Sequence, residues 1–376
     1  MSASRPYLTS GRIGGDLDRL SALRANITKQ FESAGAVMVE PETLQPADVM
    51  LDVYGEDIRA RAYIVQDPAA GELCLRPDFT VPVARVHMQG GADPARYAYQ
   101  GLVWRRQVPG SKRPNEYLQA GIELIGGVDP AKDDAEVFTL IRDALGEHVG
   151  PVITGDLSVV FAVIDAVVTT EARKAALRRH VWRPARFQAL LDRFSNPPQP
   201  SANRRALLEA DDQRRARMIA GAGRFVGLRS EAEIIARAAV LAEDASVAPL
   251  SAEAKQIIEA VLGIKGRTED AVKQLRDLAL PSMEAAINRI EMRMSALADR
   301  GVNAADLAFD AAFGRALEYY DGFVFEFKAP VQGLPPLGGG GRYDALTEIL
   351  AHGTGSTAVG GVVRPEAIAA CMESSQ

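Results

Sequence analysis

The chain has 376 residues, 47% of them apolar and 24% charged, and a formal net charge of −6; this is the composition of a soluble globular protein long enough for two or three domains with buried cores. No run of about eighteen apolar residues occurs, and the opening MSASRPYLTSGRIGG has no apolar stretch of signal type, so a cytoplasmic chain with no membrane partner is expected. Two distant cysteines, Cys74 and Cys371, and four scattered histidines, His87, His148, His180 and His352, fit neither a disulfide framework nor a zinc spacing, and the net negative charge argues against nucleic acid as a partner; no metal site is expected.

In chain order, Leu17, Leu20, Leu23 and Ile27 have the spacing of a helix over 17–34, and Ala36 to Val39 before Pro41 read as a strand ending in a turn. Leu75 to Val83, LRPDFTVPV, places Arg76, Asp78 and Thr80 two apart. Tyr97 to Gly126 alternates on both sides of a loop crowded with Arg and Lys, which predicts two strands joined by a loop fit to hold phosphate or carboxylate. On the second strand Gln119, Gly121 and Glu123 share a face, and a carboxylate there is costly unless something binds it. Ala135, Phe138, Ile141 and Leu145 predict a helix over 133–145.

From about residue 170 alanine, arginine and leucine dominate, strand patterns vanish, and NPPQPSAN interrupts at 196–203. Residues 171–224 carry thirteen Lys or Arg against five Asp or Glu, a balance of +8, which fits either solvated helix faces or a surface for an acidic partner or RNA. A helix over 281–298 puts Ile287, Ile290, Met294 and Leu297 on one face, and strand texture returns from Leu307. The reading is therefore α+β: a mixed, mainly antiparallel sheet with flanking helices, made by a discontinuous domain of residues 1–169 and 301–376 that is interrupted by a helical insertion at 170–300.

A pocket on that sheet would gather Asp78, Thr80, Gln119, Glu123, Arg105, Arg113, Arg315, Tyr319 and Tyr320. The set suits an amino acid: carboxylate and hydroxyl groups take an ammonium, a guanidinium forks onto a carboxylate, and an acid with a tyrosine grips a polar ring. Arg113 reads equally as a solvated loop residue or a phosphate contact, and adjacent Tyr319 and Tyr320 would point to opposite sides of a strand, with Tyr320 assigned to the pocket.

VWRRQ…RPNEYLQAGIELIG, LRPDFT, RALEYYDGFVFE and GGGGRYD together resemble the catalytic core of histidyl-tRNA synthetase, a class II aminoacyl-tRNA synthetase fold, over about residues 10–370. That resemblance makes LRPDFT an amino-group-binding strand with Asp78, Thr80 and Gln119 on the histidine α-amino group. It puts Glu123 and Tyr320 on the imidazole, Arg315 on the carboxylate, and Arg105 on the α-phosphate of ATP.

The departures shift the implied function. Where the synthetases end motif 3 in Gly-Leu-Glu-Arg, this chain has Arg364, Pro365, Glu366 and Ala367, so alanine stands at the ATP-clamping arginine and a proline sits where a helix should continue. Arg106 and Gln107 replace the usual His-Glu after the motif 2 arginine, and the chain stops twelve residues after Arg364, which implies no anticodon-binding domain. A retained histidine pocket without the clamp resembles the regulatory subunits of ATP phosphoribosyltransferase. The resemblance implies a non-catalytic chain with no cofactor, paired with a short-form catalytic subunit, with histidine as effector in that pocket or at a subunit interface, and a homodimer inside a hetero-oligomer. The alternatives are a histidine-activating enzyme and a synthetase-like module that binds RNA or protein.

Overall fold

A computed structural model describes residues 13–108, 111, 113–223, 226–227, 230–314 and 318–374. Arg315, assigned to the substrate carboxylate, lies outside the described residues. From the amino end run α1 (Gly15–Ser33), β1 (Val37–Met38), β2 (Leu44–Pro46), α2 (Ala47–Arg61), β3 (Ile64–Asp67), β4 (Gly71–Leu75), α3 (Thr80–Met88), β5 (Ala95–Trp104), β6 (Glu116–Ile125), α4 (Pro130–Leu145), β7 (Val152–Asp156) and α5 (Leu157–Ala166). Next come α6 (Glu171–His180), α7 (Pro184–Ser195), α8 (Ala202–Leu208), α9 (Asp212–Ala220), α10 (Glu231–Ser246) and α11 (Ala252–Leu262). The chain closes with β8 (Lys265–Arg267), α12 (Thr268–Asp277), α13 (Glu284–Ala298), β9 (Ala308–Asp310), β10 (Phe323–Phe327), β11 (Gly338–Arg342), α14 (Asp344–Ala351), β12 (Ala358–Val363) and α15 (Pro365–Ser374).

The chain divides into two compact units, Met1–Val159 with Ile264–Gln376, and Val160–Gly263. Among the described residues the first unit holds a nine-stranded sheet in the order β1-β5-β6-β12-β11-β10-β7-β9-β8, and a three-stranded sheet in the order β2-β4-β3. Among the described residues β1 with β5 and β7 with β9 pair in parallel, and the other neighbouring strands pair antiparallel.

The β5–β6 hairpin shows how the sequence pattern becomes a two-faced layer. Its ten-residue register sets Tyr97 against Glu123, Tyr99 against Gly121 and Gly101 against Gln119. Alternation sends Ala98, Ala120, Ile122 and Leu124 to one side, where they pack with Ile27 and Phe31 of α1 and Phe138 and Ile141 of α4. The other side carries Tyr99, Gln119 and Glu123, and it is this side that faces the site. Helix α4 begins with Asp129 accepting from the Lys132 amide at 3.3 Å and with Pro130 in its first turn, a pairing of cap and proline that starts a helix cleanly.

The glycines of GGGGRYD form strand β11 itself. A Cβ at Gly340 would lie 2.1 Å from the Gly360 carbonyl of β12 and one at Gly341 2.5 Å from the Phe323 carbonyl, so the strand tolerates no larger residue at these positions.

Three local expectations are corrected. Asp78 and Thr80 are not on a strand: β4 ends at Leu75, and Thr80 opens helix α3. Tyr319 and Tyr320 lie in a turn ahead of β10, so both reach the same cavity instead of opposite sheet faces. Pro365 interrupts nothing, because it is the first residue of α15, where its missing N–H is an orphan donor in any case.

The compact second unit also differs from the 170–300 insertion read in the sequence. Strand β8 joins the large sheet beside β9, and α13 buries Ala286, Ile287, Ile290 and Leu297 while Arg293 bonds Asp134 of α4 and Asp156 of β7. An alanine- and leucine-rich texture looks the same in a helix that covers a sheet and in one that packs among helices. In the second unit Thr170, Ser201, Asp211, Ser230 and Ser251 each cap a helix, and Ser230 with Glu233 completes a capping box. Part of its basic excess is spent internally: the buried Arg173 donates to Asp244 Oδ1 at 2.5 Å and to the Ala248 carbonyl at 2.9 Å, and Arg215 donates to Asp212 Oδ1 at 2.6 Å.

Candidate functional site

A cavity of about 770 Å³ opens within the first unit, on the polar side of β6. Asp78, Thr80, Tyr99, Gln119, Tyr319 and Tyr320 line it with acid, hydroxyl, amide and phenol groups. Arg61, Arg105, Arg113 and Arg364 add guanidinium groups, and Glu366, Ala367 and Ala370 of α15 complete that part of the wall. The structure thus brings together Asp78, Thr80, Gln119, Tyr319, Tyr320, Arg105 and Arg113 of the residues singled out in the sequence.

Asp78 sits on the short connection between β4 and α3. Its Oδ1 accepts from the buried Tyr54 hydroxyl in a short hydrogen bond, its Oδ2 accepts from Tyr319 at 3.3 Å, and Arg105 Nη2 stands 3.8 Å from Oδ2. Burial pushes the Asp78 carboxyl above its ordinary value, and Arg105 opposes that rise. Arg105 is fixed by a 2.7 Å bond from Nε to the Pro77 carbonyl, so its guanidinium is aimed before any ligand arrives.

Glu123 is placed differently from expectation. It is fully buried, absent from the cavity wall, and saturated by hydroxyls: Oε1 accepts from Thr80 at 2.8 Å and Tyr99 at 3.1 Å, and Oε2 from Tyr343 at 2.6 Å. Burial raises its carboxyl to about 7 despite those three donors, and the charge on Asp78 adds to the rise. Space for this carboxylate comes from Gly360, where a Cβ would stand 1.5 Å from Glu123 Oε2. Across the hairpin, a Cβ at Gly121 would stand 2.4 Å from the Tyr99 hydroxyl. Glu123 is therefore the hub under the cavity floor, and Tyr99, which stacks on Phe79 at 4.5 Å, carries its influence to the wall.

Tyr99 and Tyr343 stand in the motifs with no role that the sequence assigns; the structure sets Tyr99 opposite Gly121, the glycine between Gln119 and Glu123. Arg76, two residues from Asp78, donates to the Leu102 and Pro41 carbonyls and lies over the Phe79 ring. At the other wall Arg364 donates to the Pro336 carbonyl, Glu366 accepts from the Leu118 amide at 3.1 Å, and Arg61 holds Gln107 at 2.9 Å. Chemically, the cavity offers carboxylate, hydroxyl and amide groups for an ammonium or polar ring, with guanidinium groups for a carboxylate or phosphate.

Comparison with known proteins agrees with this architecture. A family model of histidyl-tRNA synthetases matches residues 15–243 and 231–368. An ATP phosphoribosyltransferase regulatory subunit of Mesorhizobium japonicum is 36% identical over 374 residues, covering 95% of this chain and 99% of that protein. One of Brucella anthropi is 34% identical over 334 residues, with coverage of 84% and 88%. Among solved structures, an ATP phosphoribosyltransferase regulatory subunit/histidyl-tRNA synthetase from Bacillus halodurans superposes with a TM-score of 0.69 at 23% identity, over 99% of this chain and 83% of that one. A histidine–tRNA ligase subunit from Alicyclobacillus acidocaldarius gives 0.61 at 23% identity, over 100% of this chain and 98% of that one. These likenesses establish the fold as the class II synthetase-like core.

Proposed function

This chain belongs to the family of ATP phosphoribosyltransferase regulatory subunits within the histidyl-tRNA synthetase-like proteins, and from that premise we propose that it activates a short-form ATP phosphoribosyltransferase catalytic subunit in the cytoplasm and makes the first step of histidine biosynthesis answer to histidine. In this reading catalysis resides in the partner, and the chain acts as a homodimer inside a hetero-oligomer.

The observation that carries the proposal is the cavity wall: Asp78, Thr80, Gln119 and the two tyrosines stand together, and Ala367, the residue that the motif resemblance sets at the position of a synthetase's ATP-clamping arginine, lines the same wall. The first set suits the α-amino group of histidine, with Tyr320 against its ring and Glu123 acting on that ring through Tyr99. Arg105 and Arg113 are assigned to an anionic group of the ligand. Histidine regulates by preferring one arrangement of the complex, and a coupling of about 1–3 kcal/mol is enough for 5- to 150-fold control.

The test is turnover by the purified catalytic subunit with and without this chain, followed by a histidine titration. Activation reversed by histidine is expected. Absence of both activation and complex formation, together with histidine-dependent pyrophosphate exchange by the chain alone, would overturn the reading in favour of a histidine-activating enzyme. Wild-type inhibition in variants of the lining residues Asp78 and Gln119, Asp78→Asn and Gln119→Ala, would move the effector out of this cavity.

A further inference from the structure

Asp321 has no part in the site as described, yet its carboxylate joins the segment that carries Tyr319 and Tyr320 of the wall to the segment that carries Tyr343, the partner of Glu123 beneath it. Helix α14 starts without a side-chain cap of its own, since Tyr343 precedes it in the capping position. The missing acceptor comes from a distant point in the chain: Asp321 Oδ1 accepts from the Asp344 amide at 3.2 Å and Oδ2 from the Ala345 amide at 2.6 Å. The Asp321 amide in turn donates to the Arg342 carbonyl at 3.1 Å. Three bonds thus fasten one residue to the stretch 342–345.

On one side of that knot, Tyr319 and Tyr320 face the cavity; on the other, Tyr343 reaches Glu123. The Tyr319 ring lies 4.7 Å from Tyr320 and 5.8 Å from Tyr343. Glycine backbone packs directly against side chains around it: a Cβ at Gly341 would meet Tyr320 Cδ1 at 2.9 Å and one at Gly322 would meet Arg342 Cδ at 3.2 Å. We infer that Asp321 is a positioning residue, a cap in trans that locks the tyrosines at 319–320 to Tyr343 and so sets the width of the amino-acid pocket. Burial lifts its carboxyl to about 7, with the Ala345 amide opposing the rise and the Asp344 charge adding to it.

The inference rests on the histidine reading, so its test uses two readouts on the full chain: histidine affinity by calorimetry, and amide hydrogen exchange of the peptides covering 319–323 and 343–346. Asp321→Ala is expected to speed exchange in both peptides and to weaken histidine binding about five-fold or more, the scale of a lost helix cap. Asp321→Asn, which keeps one carbonyl acceptor, is expected to restore slow exchange and most of the affinity. Unchanged exchange in Asp321→Ala would overturn the clamp, and faster exchange with unchanged affinity would overturn its role in positioning. If the unsubstituted chain binds no histidine, the ligand assignment fails by itself, and the clamp still stands or falls on exchange.

Discussion

Two groups of buried carboxylates in the first unit are satisfied in opposite ways. Asp134 and Asp156 are met by guanidinium groups: Arg293 Nη1 lies 3.1 Å from Asp134, Arg293 Nη2 2.7 Å from Asp156, and Arg342 Nε 2.9 Å from Asp134. Glu123 is met by three neutral hydroxyls, and Asp78 by two phenols with Arg105 only at 3.8 Å. Burial is the same; balance of charge is not. The first group is scaffold, closing α4, α13, β7 and β11 together with its charges matched. The second lies at or beneath a cavity wall and is short of positive charge, which an ammonium or a protonated imidazole would supply.

The largest effect should come from breaking the balanced group. Arg293→Met leaves Asp156 buried without its cation and Asp134 with one donor fewer, which should cost about 3–5 kcal/mol in urea denaturation. A loss below about 1 kcal/mol, the range of an exposed ion pair, would mean that the network is not structural and would dissolve the contrast.

The unbalanced group should show itself through pH. The Glu123 carboxyl rises from 4.5 to about 7 in the folded chain, so its contribution to stability is fully present below the unfolded value and is lost as pH rises through the folded one. Between those limits the wild type should lose about 2–3 kcal/mol relative to Glu123→Gln, with the difference flat above them. Denaturation midpoints of the two proteins at pH 5 and pH 8 check this, and saturating histidine should shrink the gap if a cationic ligand offsets the charge. A gap that does not change with pH would place Glu123 among the balanced carboxylates.

A smaller step is Tyr343→Phe, which removes one of the three donors and leaves Glu123 Oε2 without its 2.6 Å partner. The expected cost is about 1–2 kcal/mol, that of a buried acceptor left unmet, with weaker histidine binding at neutral pH. Histidine affinity equal to wild type would show that the hub does not set the shape of the wall.

Much of this was visible in the sequence because it follows from periodicity. Alternation in β5 and β6 placed Gln119, Gly121 and Glu123 on one face, and the helical spacing of Ala135, Phe138, Ile141 and Leu145 placed α4. What was not visible depends on partners distant in the chain. That Glu123 is sealed by Thr80, Tyr99 and Tyr343 requires segments some 20 to 220 residues away to converge. That α13 belongs with the sheet depends on Arg293 finding Asp134 and Asp156, and no composition window reports such a pairing. The local misreadings at Thr80 and Pro365 share a cause, since a spacing of two, or a lone proline, is equally at home where a loop enters a helix; adjacent residues such as Tyr319 and Tyr320 point apart only on a strand, and these two lie in the turn before one.

The smallest expected effect tests the other unit. Arg204 and Arg214 are exposed on α8 and α9, unlike Arg173 and Arg215, whose guanidinium groups are buried on carbonyls and carboxylates. Alanine at both exposed positions should change stability by no more than about 0.5 kcal/mol and leave histidine affinity untouched. Because the double variant is neutral for folding and for the cavity, it isolates the surface: weaker activation of the catalytic subunit, steepening with salt, would assign the basic helices to the partner interface, whereas full activation would mark them as solvated faces that keep the second unit soluble.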